Sequence, residues 1–158
     1  MLDELEEYEE LIDALTTYIE SVQSAGAAVH NRALAYWEIG DPERALIGFD
    51  QAAGLLPDSH MPFQLKGMLL QKLDRPADAL AAFDSAVLIA PNQATIRRAR
   101  ALLLVDMGKL EESLGDFNHA IALEPAFART REDRDSVLAQ LGKTMQQRSP
   151  KWWQFWLK

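Results

Sequence analysis

The chain has 158 residues, a net charge of -8 and no cysteine, with about half of its residues apolar and a quarter charged. That length suits one domain around a continuous core, and the composition is that of a globular chain, not a disordered one. It excludes a disulfide scaffold, no apolar run reaches the length of a membrane span, and the missing cysteine fits a reducing compartment.

The first segment, residues 1–24, carries the charge. Residues 1–20 hold eight acidic side chains (Asp3, Glu4, Glu6, Glu7, Glu9, Glu10, Asp13 and Glu20) and no basic one, while the other sixteen acidic residues are balanced by sixteen basic ones. Such a start is neither a secretory signal nor a transit peptide, so the cytoplasm is the expected compartment. It would repel nucleic acid and attract a cationic surface. Leu5, Tyr8, Ile12, Leu15, Ile19 and Val22 recur every three or four residues. This predicts a helix over 2–23 whose seam packs on the next element as an N-terminal cap, in preference to an intermolecular coiled coil. Glu6, Glu7, Glu9 and Glu10 would then form an acidic outer face.

From residue 26 a ladder begins. Pro57, Pro91 and Pro125 stand 34 residues apart. Five residues before each proline comes Ala52, Ala86 or Ala120, and eight before comes Phe49, Phe83 or Phe117. Twelve before lies Ala45, Ala79 or Ser113, and seventeen before lies Gly40, Asp74 or Gly108. Tyr36, Leu70 and Leu104 precede by twenty-one, and Ala33, Gly67 and Ala101 by twenty-four. This ladder resembles the tetratricopeptide repeat, without a gap over 26–125. Val29, Phe63 and Arg97 stand where that family often has Trp. The resemblance implies an all-α, right-handed superhelical solenoid of helix-turn-helix repeats at 26–59, 60–93 and 94–127, capped by a helix at each end.

The residues give the physical reason. Small side chains let paired helices approach, and Phe fills the space beside the crossing. Gly40, Asp74 and Gly108 tolerate a left-handed helix end, Pro42 and Pro76 suit a helix first turn, and the 34-spaced prolines end the second helices. Helices are predicted at 27–39, 43–56, 61–73, 77–90, 94–107 and 111–124. A further charged helix over 127–147, with the sparse stripe Val137, Leu138, Leu141 and Met145, reads as the C-terminal cap.

The tail, residues 148–158, ends KWWQFWLK. Trp152, Trp153, Phe155 and Trp156 form a hazardous free apolar segment. Docking on its own chain is expected first, contact with a partner second and a membrane interface third; it is too short to span a bilayer.

No catalytic or metal-binding constellation is legible, and no cofactor is expected. His30, His60 and His119 lack a paired ligand spacing, and no Gly-rich phosphate loop follows a strand. The resemblance implies a non-enzymatic protein-binding groove lined by the first helix of each repeat. The matching positions are His30, Asn31, Leu34, Trp37 and Glu38, then Gln64, Leu65, Met68, Gln71 and Lys72, then Thr95, Arg98, Leu102, Val105 and Asp106. Some family members clamp a chaperone C-terminus with Lys, Asn and Arg. Here those places hold His30, Leu34, Leu65, Thr95 and Ala99, which argues against that role. The groove instead suits an amphipathic helix or an extended apolar segment of another protein. Three roles are open: an adaptor, an immunity-type inhibitor of a cationic toxin, or a secretion chaperone for an apolar segment.

Overall fold

The computed structural model describes residues 2–21 and 25–148, and side chains over 5–20 and 25–143. Val22, the Met145 side chain and the Trp-rich tail lie outside the described residues. Among the described residues there are eight helices and no strand: α1 Leu2–Ser21, α2 Gly26–Glu38, α3 Pro42–Leu55, α4 Met61–Lys72, α5 Pro76–Ile89, α6 Ala94–Asp106, α7 Leu110–Leu123 and α8 Ala128–Arg148. Each boundary falls within two residues of its predicted place. The chain divides into two compact units, Met1–Asn92 with α1 to α5 and Gln93–Lys158 with α6 to α8.

Each repeat hairpin is closed by the same local chemistry. Gly40, Asp74 and Gly108 take φ values of +80°, +55° and +74°. In that left-handed conformation the chain returns two amides to the last turn of the helix. Gly40 N–H donates to the Trp37 carbonyl and Asp41 N–H to that of Tyr36, and the pattern repeats from Arg75 to Leu70 and from Lys109 to Leu104. These bonds satisfy helix-end carbonyls that would otherwise lack partners. Pro42 and Pro76 then open the next helix, where a missing amide hydrogen costs nothing. The Asp41 carboxylate caps α3 by accepting from the Arg44 amide at 3.0 Å. That bond, with help from the Arg44 guanidinium, holds its pKa below the usual carboxylate range.

The ladder residues form the core. Phe49, Phe83 and Phe117 are fully buried, as are Ala45, Ala52, Ala79 and Ala86. Burying one such phenylalanine contributes roughly 1.5–3 kcal/mol. In the first unit Phe49 packs with Ala33, Ala45 and Leu69, and the half-buried Leu34, Trp37 and Leu65 lie against them. In the second unit Ala101, Phe117 and Val137 form the centre, with Leu102, Val105 and Leu141 around it. There Asp116 is buried and bonded twice to Arg100, at 2.6 and 2.7 Å, and once to Arg97 at 3.3 Å. A buried carboxylate is tolerated because both neighbouring guanidinium groups satisfy it.

Candidate functional site

The residues of the predicted groove are sorted by what each helix packs against. In the first unit α2 and α4 bring Trp37, Leu65 and Lys72 together. The Trp37 indole stands edge-on to Phe49, with ring centroids 6.2 Å apart, and the Lys72 ammonium lies 4.8 Å from the indole centroid. A cation over an indole face adds attraction and holds the ring in one orientation. Met68, one turn before Lys72 on α4, is 38% exposed. Gln64 and Gln71 are half-buried on the same helix. The result is a fixed aromatic plate on α2, with a flexible thioether exposed on α4, side chains suited to gripping an apolar group.

His30 lies at the base of this face. Its ring is 5.9 Å from that of Phe49, its Nδ1 is buried without a hydrogen-bond partner, and burial pushes its pKa below the ordinary histidine value. The imidazole is therefore favoured in its neutral form.

The other α2 positions point elsewhere. Leu34 belongs to the α2/α4 cluster, but Asn31, Leu34 and Glu38 also border a hollow of 340 Å³ against α1. On α1, Ile12 is buried and Tyr8, Leu15 and Ile19 are half-buried, while Leu5 is 39% exposed. The Arg32 guanidinium donates to Thr16 Oγ1 at 3.3 Å, tying α2 to α1. Glu6, Glu7, Glu9 and Glu10 are all exposed.

In the second unit the matching positions meet α7 and α8. Leu102 and Val105 pack on the Ala101, Phe117 and Val137 cluster. Arg98 pairs with Asp133 of α8 at 2.6 Å and lies 5.8 Å from the Phe127 ring centroid. Thr95 and Asp106 are exposed. Along α8, Leu141 packs inward and Leu138 is 48% exposed.

A second hollow in the first unit, of 400 Å³, lies between α3, α4 and α5 beside Ile47 and Phe63. Its charged rim is engaged in the Lys66–Asp50 and Arg75–Asp78 ion pairs. No group of His, Asp or Glu side chains able to hold a metal occurs among the described residues, and none of their helices is long and apolar enough to cross a membrane.

Residues 65–142 match the profile of the tetratricopeptide repeat family. No curated protein matches the chain in sequence. Among solved structures the chain is similar to MamA, at 17% identity and a TM-score of 0.77 over 85% of this chain and 79% of that one. It is also similar to YrrB, a repeat protein with an unusual peptide-binding site, at 23% identity and a TM-score of 0.72 over 89% and 73% of the two chains. A third similar structure is the first repeat domain of Spaghetti (RPAP3) bound to the HSP90 peptide SRMEEVD. It has 17% identity and a TM-score of 0.69 over 77% of this chain and 99% of that domain.

Proposed function

We propose that this chain, a member of the tetratricopeptide-repeat family, is a non-enzymatic module that binds an apolar segment of a partner protein on the α2/α4 face of its first unit. The observation that carries the reading is the Trp37 indole, held by Phe49 and Lys72, with the 38% exposed Met68 one turn before Lys72 on α4. An indole fixed in place loses little freedom on binding, so its burial by a partner is retained as affinity. Gln64 supplies an amide group that can bond a partner backbone. The peptide complex of one similar fold and the peptide-binding site of another support the class of ligand. They do not carry over its sequence, since His30, Leu34, Leu65, Thr95 and Ala99 stand where a carboxylate clamp would need Lys, Asn and Arg. The cysteine-free chain suits the cytoplasm.

The test is site-specific. A photo-reactive side chain replacing Met68 is expected to give a discrete adduct with a partner segment, and one replacing Leu88, 82% exposed on α5, is expected to give none. Equal labelling from both positions would remove this face as the site.

The inhibitor reading rests on a separate observation, the four exposed carboxylates of α1. Changing Glu6, Glu7, Glu9 and Glu10 to Gln should slow association with a cationic protein and flatten its salt dependence. An unchanged rate at low salt would leave α1 as a solubilising cap.

A further inference from the structure

The first helix has a place in the repeat. Shifting α3, Pro42–Leu55, back by one 34-residue period gives 8–21, and α1 ends at Ser21. By register α1 is the second helix of a preceding repeat. In the complete repeats, the face that a second helix turns to its first helix is closed. Ala45, Gly48, Phe49 and Ala52 of α3 are buried, as are Ala79, Ala82, Phe83 and Ala86 of α5 and Ser113, Asp116, Phe117 and Ala120 of α7. One period earlier these positions are Leu11, Ala14, Leu15 and Tyr18. Leu11 is 43% exposed, Tyr18 is 53% exposed, and Ala14 is also exposed. Spacings of three and four put them on one stripe.

The neighbouring face of α2 follows the same register. Ala35 and Glu38 correspond to Leu69 and Lys72, which α4 turns toward α2: Leu69 in the Phe49 cluster and Lys72 over Trp37. The hollow of 340 Å³ between Leu11, Leu15, Leu34, Ala35 and Glu38 therefore occupies the place that α2 itself fills one repeat later. The charge differs in one respect. Where Lys72 caps an indole, this hollow presents Glu38, and Glu7 and Glu10 border the stripe on α1.

We propose that α1 and α2 form the seat for a cationic amphipathic helix of a partner protein, which docks as the first helix of this preceding repeat. The repeat geometry sets its shape, with a small residue where it crosses Ala14, as Ala33 and Ala101 stand in the complete repeats. The three carboxylates set its charge, with Lys or Arg at the place Trp37 holds in α2, opposite Glu38. A second copy of the chain joined through the same face is disfavoured as occupant, because it would bring Glu7, Glu10 and Glu38 of both copies to one contact. The seat is independent of the Trp37 and Met68 surface.

The chain supplies its own probe. A synthetic peptide of residues 94–106, ATIRRARALLLVD, has the right small residue in Ala101 and three arginines. Its Val105 is the counterpart of Trp37, so a Val105→Arg version of the peptide adds the cation that Glu38 calls for. Titrated into the full-length protein and followed by NMR, the peptide should shift the signals of Leu11, Ala14, Tyr18 and Leu34. The Val105→Arg version should bind several-fold more tightly, and Glu38→Gln in the protein should abolish that gain. Ala14→Arg, at an exposed helical site that favours Arg, should weaken both peptides at least tenfold without unfolding the protein. Glu9→Gln, on the opposite side of α1, should change little. Absence of shifts at these residues, or equal binding by Ala14→Arg, overturns the proposal. So does a dimer that Ala14→Arg converts to monomer, which would make a second copy the occupant. Truncation after Ser149 that alone shifts the same signals would assign the seat to the tail and overturn it as well.

Discussion

Gly48 and Ala33 meet where α3 crosses α2, so closely that a β-carbon on Gly48 would lie 2.6 Å from that of Ala33 and 3.2 Å from its α-carbon. The second distance is to backbone, so a methyl group there cannot be absorbed by a rotamer change. Gly48→Ala should gain about 1 kcal/mol in helix propensity and lose more to overpacking, which typically costs about 1–3 kcal/mol. A net loss of stability is expected by urea denaturation. Adding Ala33→Gly should restore clearance, so the double variant should be more stable than the sum of the singles by over ~1 kcal/mol. Additive effects would mean that the helices do not approach at this point.

Asp116 joins α7 to two arginines of α6 at almost complete burial. Asp116→Ala leaves Arg97 and Arg100 beside each other without their shared carboxylate. Breaking a buried pair from one side costs about 3–5 kcal/mol, and the low end is expected because both arginines retain some access to water. Chemical denaturation of the variant measures this. A loss below ~1 kcal/mol would show that the cluster does not hold α6 against α7.

His30 makes stability depend on pH in a defined direction. Its folded pKa is depressed by burial, so the unfolded chain takes up a proton more readily. The stability linked to this group is complete above the ordinary histidine value. It is lost progressively as pH falls from there toward the lower folded pKa. His30→Leu should remove this part, so the difference in urea midpoint between parent and variant should change between pH 8 and pH 5. A constant difference would place the imidazole in water.

Repetition and covalent geometry explain why most of the fold was legible. Gly40, Asp74 and Gly108 had to be tolerant of positive φ, and Phe49, Phe83 and Phe117 had to sit beside small residues, because the hairpin leaves no other arrangement. The repeated helices stand within one residue of expectation at most ends. The interaction surface was less legible. A first-helix position faces open groove or another helix according to what flanks it. Thus Trp37 packs edge-on to Phe49 beneath Lys72, Asn31 and Glu38 border α1, and Leu102, Val105 and Arg98 meet α7 and α8. The seam read on α1 found Ile12, Leu15 and Ile19 but left Leu11 and Tyr18 outside it. Their 34-residue register was the available signal, obscured because Leu and Tyr occupy places where the later repeats have Ala or Ser. Asp116 was hidden in the same way, since its counterparts are Gly48 and Ala82 and no charge pattern repeats there.

The central claim is that Trp37, with Met68 on the facing helix of the α2/α4 pair, grips a partner segment. Its most direct test is the affinity of the segment captured from position 68, measured as a synthetic peptide by isothermal titration against parent and Trp37→Ala/Met68→Ala protein. Removing both anchors should weaken binding at least tenfold, or about 1.4 kcal/mol, with the helical circular dichroism retained. Equal affinity for the two proteins would contradict the claim.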